Sequence, residues 1–359
     1  MNWLKRILTI LFFIIIPTQI RSLTIGSDVG VSREIQINFP TNANSILSFA
    51  SMGNGFIFAD VATSCNFSSF FPVGGTVNLK GGSLTLLTDF IFEKNGTMSF
   101  MGNIIGNGHI LDLSTSQTYL VGDVNAVGIQ VYQWSNINTF LNSDISLQSA
   151  ILFAGNSLLD GGGHCIDLQN EGAIAVGTNS TLTLKNIKIK NLNNLNNRII
   201  CAASTSIIKF QDVDLVFSDS LDFSVGKFTV DNDLKLTGSG KFIYSTNQIS
   251  TINSYSSLIL DSNVTFSYAP VSNSRDLLDF TDKTSILELN GGTLHSTTTG
   301  LRLTKGTLLV SNNSNLFAEG EVETESISLG NGTEAGNLRV IGAANLEFYG
   351  LILNDNVGL

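Results

Sequence analysis

The feature that most constrains this chain is a short two-strand unit that returns along its length. In residues 181–189, TLTLKNIKI, Leu182 and Leu184 alternate with polar residues, Asn186 interrupts, and Ile187 and Ile189 alternate again. Period-2 alternation puts one set of side chains on a buried face and the other outside. Asn tolerates the left-handed backbone of a sharp bend, and its amide bonds the local main chain, so it marks a corner. Ile208, Phe210, Asp212, Val213 and Leu215 repeat the unit at an offset of 26. Phe228, Val230, Asp233, Leu234 and Leu236 follow, with one residue more at the corner. Leu258, Leu260, Asn263, Val264 and Phe266 match that copy at an offset of 30, and looser copies begin near Leu287, Leu308 and Leu338. The spacing of the starts at 182, 208, 228, 258, 287, 308 and 338 averages to that first offset. A period between roughly 20 and 50 residues marks a solenoid, propeller or array. Short strands joined by bends, with no helical pattern between them, predict a β-solenoid. The corner residues Asn186, Asp212, Asp233 and Asn263 are expected to stack in polar ladders along its axis.

Composition agrees with stacked strands and narrows the partners. Of 359 residues, 43% are apolar and only 13% charged, with 34 Gly for bends and 4 Pro. Proline is scarce where each strand must donate hydrogen bonds to its neighbours. The formal charge is -10, and past the first residues no Lys/Arg cluster occurs, which argues against a nucleic-acid partner. Lys5 and Arg6 precede an apolar run at 7–16, broken by Pro17. That run is short against the roughly 20 residues of a membrane span and reads as an export signal ending near Ser22, with an uncleaved anchor as the alternative. A secreted, periplasmic or cell-surface location follows, with no membrane span in the mature chain. Cys65, Cys165 and Cys201 match no metal spacing. A Cys165–Cys201 disulfide and buried free thiols are the competing readings.

The domain reading is a signal peptide at 1–22, an irregular N-terminal cap at 23–73 and a parallel β-helix at 74–359. An uncovered solenoid end exposes unpaired backbone, which is why a cap is expected. A second internal match is dense. Gly106, Gly108, His109, Asp112 and Leu113 recur, all at one offset, as Gly161, Gly163, His164, Asp167 and Leu168. The segment from Phe100 to Asn103 recurs at nearly the same offset, from Phe153 to Asn156. The expectation is a repeat in two-coil blocks.

With its short strands, Asn-marked bends and phrases such as GTNSTLTLKNIKIK, the stretch from 74 to 359 resembles the right-handed parallel β-helix of the pectin-lyase-like superfamily. It also resembles the exported β-helix repeat proteins that occur as large paralogous sets in some reduced bacterial genomes. The resemblance implies an all-β, right-handed parallel β-helix. Polygalacturonases of this fold carry a paired Asp, a Gly-His-Gly and an Arg-x-Lys. Here Ile110 and Cys165 follow the two Gly-His pairs, and there is no Asp-Asp or Arg-x-Lys. Pectate lyases use an Asp cluster for calcium and an Arg base, and only Arg275 sits near several Asp. Polymorphic autotransported adhesins repeat Phe-x-x-Asn, which Phe100/Asn103 and Phe153/Asn156 fit.

Three groups of residues could carry chemistry. His109 and His164, with Asp112 and Asp167, would hold a metal if stacked. The competing reading is a repeated turn, in which Gly permits the bend and Asp bonds the backbone. Asp276, Asp279 and Asp282, with Arg275 and Lys283, could hold calcium through carboxylate oxygens; a solvated loop is the alternative. No other cofactor is implied. Glu319, Glu321, Glu323 and Glu325 would share one outer face of a strand, to bind a cation or basic partner or to keep the sheet soluble. The functional expectation is an exported, non-catalytic surface, adhesion or binding module that meets a polysaccharide or a protein. The alternatives are a polysaccharide lyase or glycoside hydrolase, and a self-assembling structural module. Oligomeric state is left open.

Overall fold

The computed structural model describes residues 131–353 except 170, 196–197, 273, 298, 321–325 and 343; it also describes 98–113 and 119–121 and, earlier, strands at 22–25, 36–37, 46–49, 56–58, 61–62, 75–85 and 90–91. It is an all-β parallel solenoid. Each turn of the chain lays down strands on three faces. The first face stacks Asn156–Asp160, the start of Thr181–Leu192, the start of Ile207–Phe217, the start of Lys227–Gly238, Ser250–Ile252 and Leu278–Phe280. Leu301–Leu303, Ile327–Leu329 and Leu351–Leu353 continue in the same order. The second face stacks Cys165–Leu168, the later halves of those three long strands, Ser257–Asp261, Ile286–Asn290, Thr307–Asn312 and Asn337–Val340. The third runs through Ala150–Ala154, Ala173–Val176 and Arg198–Cys201, then Leu221–Phe223, Gly240–Tyr244, Val264–Tyr268, Thr293–Ser296, Ser314–Ala318 and Leu346–Tyr349.

The alternation read from the sequence is what fills the interior. Leu182, Leu184, Ile187 and Ile189 are all buried, and each stacks on its counterpart in the next turn, Ile208, Phe210, Val213 and Leu215. Each such side chain contributes roughly 1.5–3 kcal/mol of transfer free energy. Toward the middle the interior becomes aromatic. Phe242 stacks on Phe266 at 5.7 Å, and Tyr244 on Tyr268 at 5.6 Å. The Tyr244 hydroxyl lies 2.6 Å from the Gln248 carbonyl oxygen and 2.7 Å from that of Leu277. Buried serines tie successive turns together at the bends: Ser206 Oγ donates to the Gly177 carbonyl (2.8 Å), and Ser314 Oγ accepts from Gly291 N (2.9 Å).

The corners explain both the success and the error of the sequence register. Asn186, Asp212 and Asn232 have φ of 47°, 58° and 71° and turn the chain from the first face to the second. The third of these is Asn232 rather than Asp233. Asn263 (φ 69°) turns the chain from the second face to the third. The unit at Leu258 is therefore displaced by one face. Leu258 pairs with Leu234 on the second face and has no alignment with Phe228. Two apolar pairs around a polar bend look the same at either corner, so periodicity alone could not separate them. Polar ladders do run along the axis: Asn232 donates to Asp212 (3.0 Å), and on the other corner Asn290 donates to Asp261 (2.5 Å) and Asn312 to Asn290 (2.5 Å).

Residues 1–21, and with them nearly all of the expected leader, lie outside the described residues. So does most of the expected cap, although Gln36–Ile37 pairs with Phe56–Phe58, and that strand with Gly75–Thr85, in parallel. No helix among the described residues is long and apolar enough to cross a membrane.

Candidate functional site

The two Gly-x-Gly-His segments make the same turn at different corners. Gly161 N donates to Lys185 O and Gly163 N to Asn186 O, both at 2.8 Å, while His164 N closes the turn on Gly161 O (2.8 Å). Gly106, Gly108 and His109 bond Ser135, Asn136 and Gly106 in the same way. The first glycine is required by close approach: a Cβ on Gly161 would lie 2.6 Å from Asn186 O, and one on Gly106 2.6 Å from Asn136 O. Yet His164 lies where the first face meets the second, and His109 where the third meets the first. The internal match therefore joins like turns at unlike positions, and the histidines do not stack. Phe100 and Phe153 are likewise on different faces. His164 Nδ1 is 3.6 Å from Asp144, whose carboxylate accepts Cys165 N at 2.9 Å and is held below the usual carboxyl range by that bond. Asp167 accepts from Asn191 (2.5 Å).

The aspartate cluster is dispersed. Arg302 clamps both oxygens of Asp276 (2.8 and 2.5 Å). Asp279 points outward from the first face beside Thr251. Asp282 accepts from Ser254 Oγ (2.5 Å) and from Thr284 N and Oγ1 (2.7 and 2.5 Å), and these bonds hold its carboxyl low. Arg275 turns the other way, donating to Ser326 O (3.0 Å) and Ser328 Oγ (3.1 Å). Among the described residues no three His, Cys, Asp or Glu side chains are grouped to hold a metal ion.

Cys165 and Cys201 are buried free thiols, and burial pushes the Cys201 thiol up to about 12. Cys65 lies outside the described residues.

Of the glutamate row, 321, 323 and 325 lie outside the described residues. Glu319 is exposed and belongs to a group that the sequence reading missed. On the outer side of the third face, Ser267, His295, Phe317 and Tyr349 occupy one column in register. The His295 ring stacks on Phe317 (5.6 Å, 20°), and Phe317 on Tyr349 (5.8 Å, 24°). His295 is oriented by two bonds, Nδ1 to Ser267 Oγ (2.9 Å) and Nε2 to Glu319 Oε1 (3.0 Å). With the ring neutral, Ser267 donates to Nδ1 and Nε2–H donates to the carboxylate. Phe317 is 44% exposed and Tyr349 57%. The adjacent outward column is Thr293, Asn315 and Glu347, so polar side chains border the apolar stripe on one side and Glu319 on the other. The available signal was an aromatic ring at three successive outward positions of one column, in which the preceding turns place Ile243 and Ser267.

Among the described residues, two concavities lie on the corners. One, of about 610 Å³, is lined by Asp261, Asn290, Ser311, Asn312 and their neighbours, whose amides and carboxylate already bond one another. The other, of about 300 Å³, holds Lys188, Asp214 and Lys235. Its two lysines are paired, Lys188 with Asp214 inside it at 2.9 Å and Lys235 with Asp261 of the other concavity at 2.8 Å. The aromatic stripe differs from both concavities in presenting stacked ring surface, that of Phe317 and Tyr349, to solvent. No family model, curated protein or solved structure matches the chain.

Proposed function

We propose that the protein is an exported, non-catalytic β-helix of the right-handed, pectin-lyase-like type, acting at the cell surface or outside the cell, that binds a neutral polysaccharide along its third face. The observation that carries this reading is the stacked row of half-buried His295 and exposed Phe317 and Tyr349, with its polar border. A sugar chain presents apolar C–H faces and hydroxyl edges. Aromatic rings with a nearby carboxylate, amide and hydroxyl complement both. The charge of -10, with Glu319 and Glu347 beside the row, disfavours an acidic polysaccharide.

The test is affinity electrophoresis of residues 23–359 in gels containing neutral glucan, xylan or mannan, or pectate and alginate. Product formation is followed in parallel with and without calcium. Retention by a neutral polymer without turnover is expected. The double variant Phe317→Ala, Tyr349→Ala should weaken it by roughly tenfold, about 1.4 kcal/mol. Retention that survives the double variant removes the stripe as the site. Unsaturated or reducing-end products would establish the lyase or hydrolase reading instead.

A further inference from the structure

Left-handed backbone is routine at the corners of this solenoid, and the residues that adopt it suit it, with one exception. Among the described non-glycine residues with positive φ, all are Asn or Asp but Tyr255 (φ 58°). Tyr255 succeeds Asn186, Asp212 and Asn232 on the corner between the first and second faces, in the turn linking Ser250–Ile252 to Ser257–Asp261. Asn and Asp relieve the left-handed conformation by local hydrogen bonding, and a bulky aromatic does not. Packing does not compensate, since Tyr255 is 84% exposed, more than any other large apolar or aromatic side chain described. Its backbone is held by the next turn, where Thr284 Oγ1 accepts from Tyr255 N (2.9 Å). The same role is played by Ser256 Oγ for Asn232 N (2.9 Å). The fold thus imposes the conformation, and the ring, mostly in solvent, gains little burial in return. Residues kept in sparsely populated conformations against their own propensity gather at functional sites.

We propose that Tyr255 is a ligand-contact residue: it presents its ring to a saccharide on a second binding edge, the corner across the three-sided coil from the aromatic row. Polar side chains, already bonded in pairs, line the same corner in its own turn, the turn after it and the two turns before it. Ser254 bonds Asp282, Asn253 bonds Asp231, and Asn232 bonds Asp212. The choice of a saccharide rests on the function proposed above, whereas the assignment of Tyr255 as a contact residue rests on its backbone and exposure.

The experiment compares wild type, Tyr255→Asn, and Phe317→Ala with Tyr349→Ala, using thermal unfolding and affinity electrophoresis against a soluble neutral glucan, xylan and mannan. Tyr255→Asn is expected to raise Tm and to weaken retention by the bound polymer roughly fivefold. A fall in Tm would show that the ring supports the fold, and unchanged retention would show that it contacts nothing; either overturns the proposal. Loss in the stripe variant alone leaves the stripe and sinks the corner. Loss in Tyr255→Asn alone does the reverse. Wild-type protein retained by none of the three polymers refutes both.

Discussion

Substituting Gly161 decides whether the Gly-x-Gly-His segment is a turn or a ligand-bearing motif. A Cβ on Gly161 would lie 2.6 Å from Asn186 O, 2.6 Å from Ile187 Cβ and 2.7 Å from Ile187 Cγ1. Ordinary contacts between such atoms are about 3.5–4.0 Å, so the next turn must retreat by about 1 Å. Ile187 is buried, and the retreat stretches the bonds from Gly161 N to Lys185 O and from Gly163 N to Asn186 O, each 2.8 Å. Overpacking of this kind costs about 1–3 kcal/mol, and a weakened hydrogen bond about 1 kcal/mol, so Gly161→Ala should lose about 2–4 kcal/mol. Gly163 provides an internal control. Its φ is +89° and a Cβ would meet nothing within 4 Å. Gly163→Ala should therefore lose only the left-handed backbone cost, about 1–2 kcal/mol, and Gly163→Asn less. His164→Ala should change stability by about 0.5 kcal/mol or less. Urea unfolding followed by circular dichroism, with EDTA and with added zinc or calcium, measures all four. A Gly161→Ala protein as stable as wild type would refute the close approach. A His164→Ala loss that exceeds that of Gly161→Ala, and vanishes in EDTA, would show that the histidine acts through a metal.

Other consequences are equally open to measurement. Asn186→Leu, at φ 47°, should cost about 1–2 kcal/mol in urea unfolding while leaving polysaccharide retention intact; unchanged stability would contradict the corner assignment. Asp144 has a carboxyl lowered by the Cys165 N–H, so its contribution is present above its unfolded value of about 3.9 and is lost as pH falls through the lower folded value. Asp144→Asn should flatten the acid side of the stability profile, and an unaltered profile would remove the bond from the account. Burial pushes the Tyr244 phenol up to about 12, so stability present below about pH 10 is lost as pH rises toward that value. The absorbance of the buried phenolates, Tyr244 and Tyr268, should appear together with loss of the strand circular dichroism, and its appearance in folded protein would place a buried phenol in contact with solvent.

The strands and the interior were legible because inward Leu, Ile, Val and Phe at alternate positions leave few ways to be buried. Corner residues were legible where Asn or Asp marks them, as at Asn186 and Asp212. The register across faces was not, since a polar bend flanked by apolar pairs fits either corner, and periodicity alone puts Leu258 one face too early. The same ambiguity makes His109 and His164 look stacked. The aromatic row was hidden because His295, Phe317 and Tyr349 are unequally spaced along the chain, by steps that only the strand pairing equates. Tyr255 was hidden for a different reason. Nothing in Ser-Tyr-Ser spells a left-handed corner, and the turns beside it impose one.

The step from a residue to its counterpart in the next turn varies widely. Ile208 is followed by Phe228, whereas Leu316 is followed by Phe348, a step more than half as long again. The paired strands keep their alignment along each face, with register shifts of a residue or so where long strands turn or end, so most of the surplus is absorbed at the bends. A fixed interior is thereby separated from a perimeter whose segments can lengthen, shorten or be exchanged one at a time. A lineage of such chains could revise what the outside meets without redesigning what the inside buries.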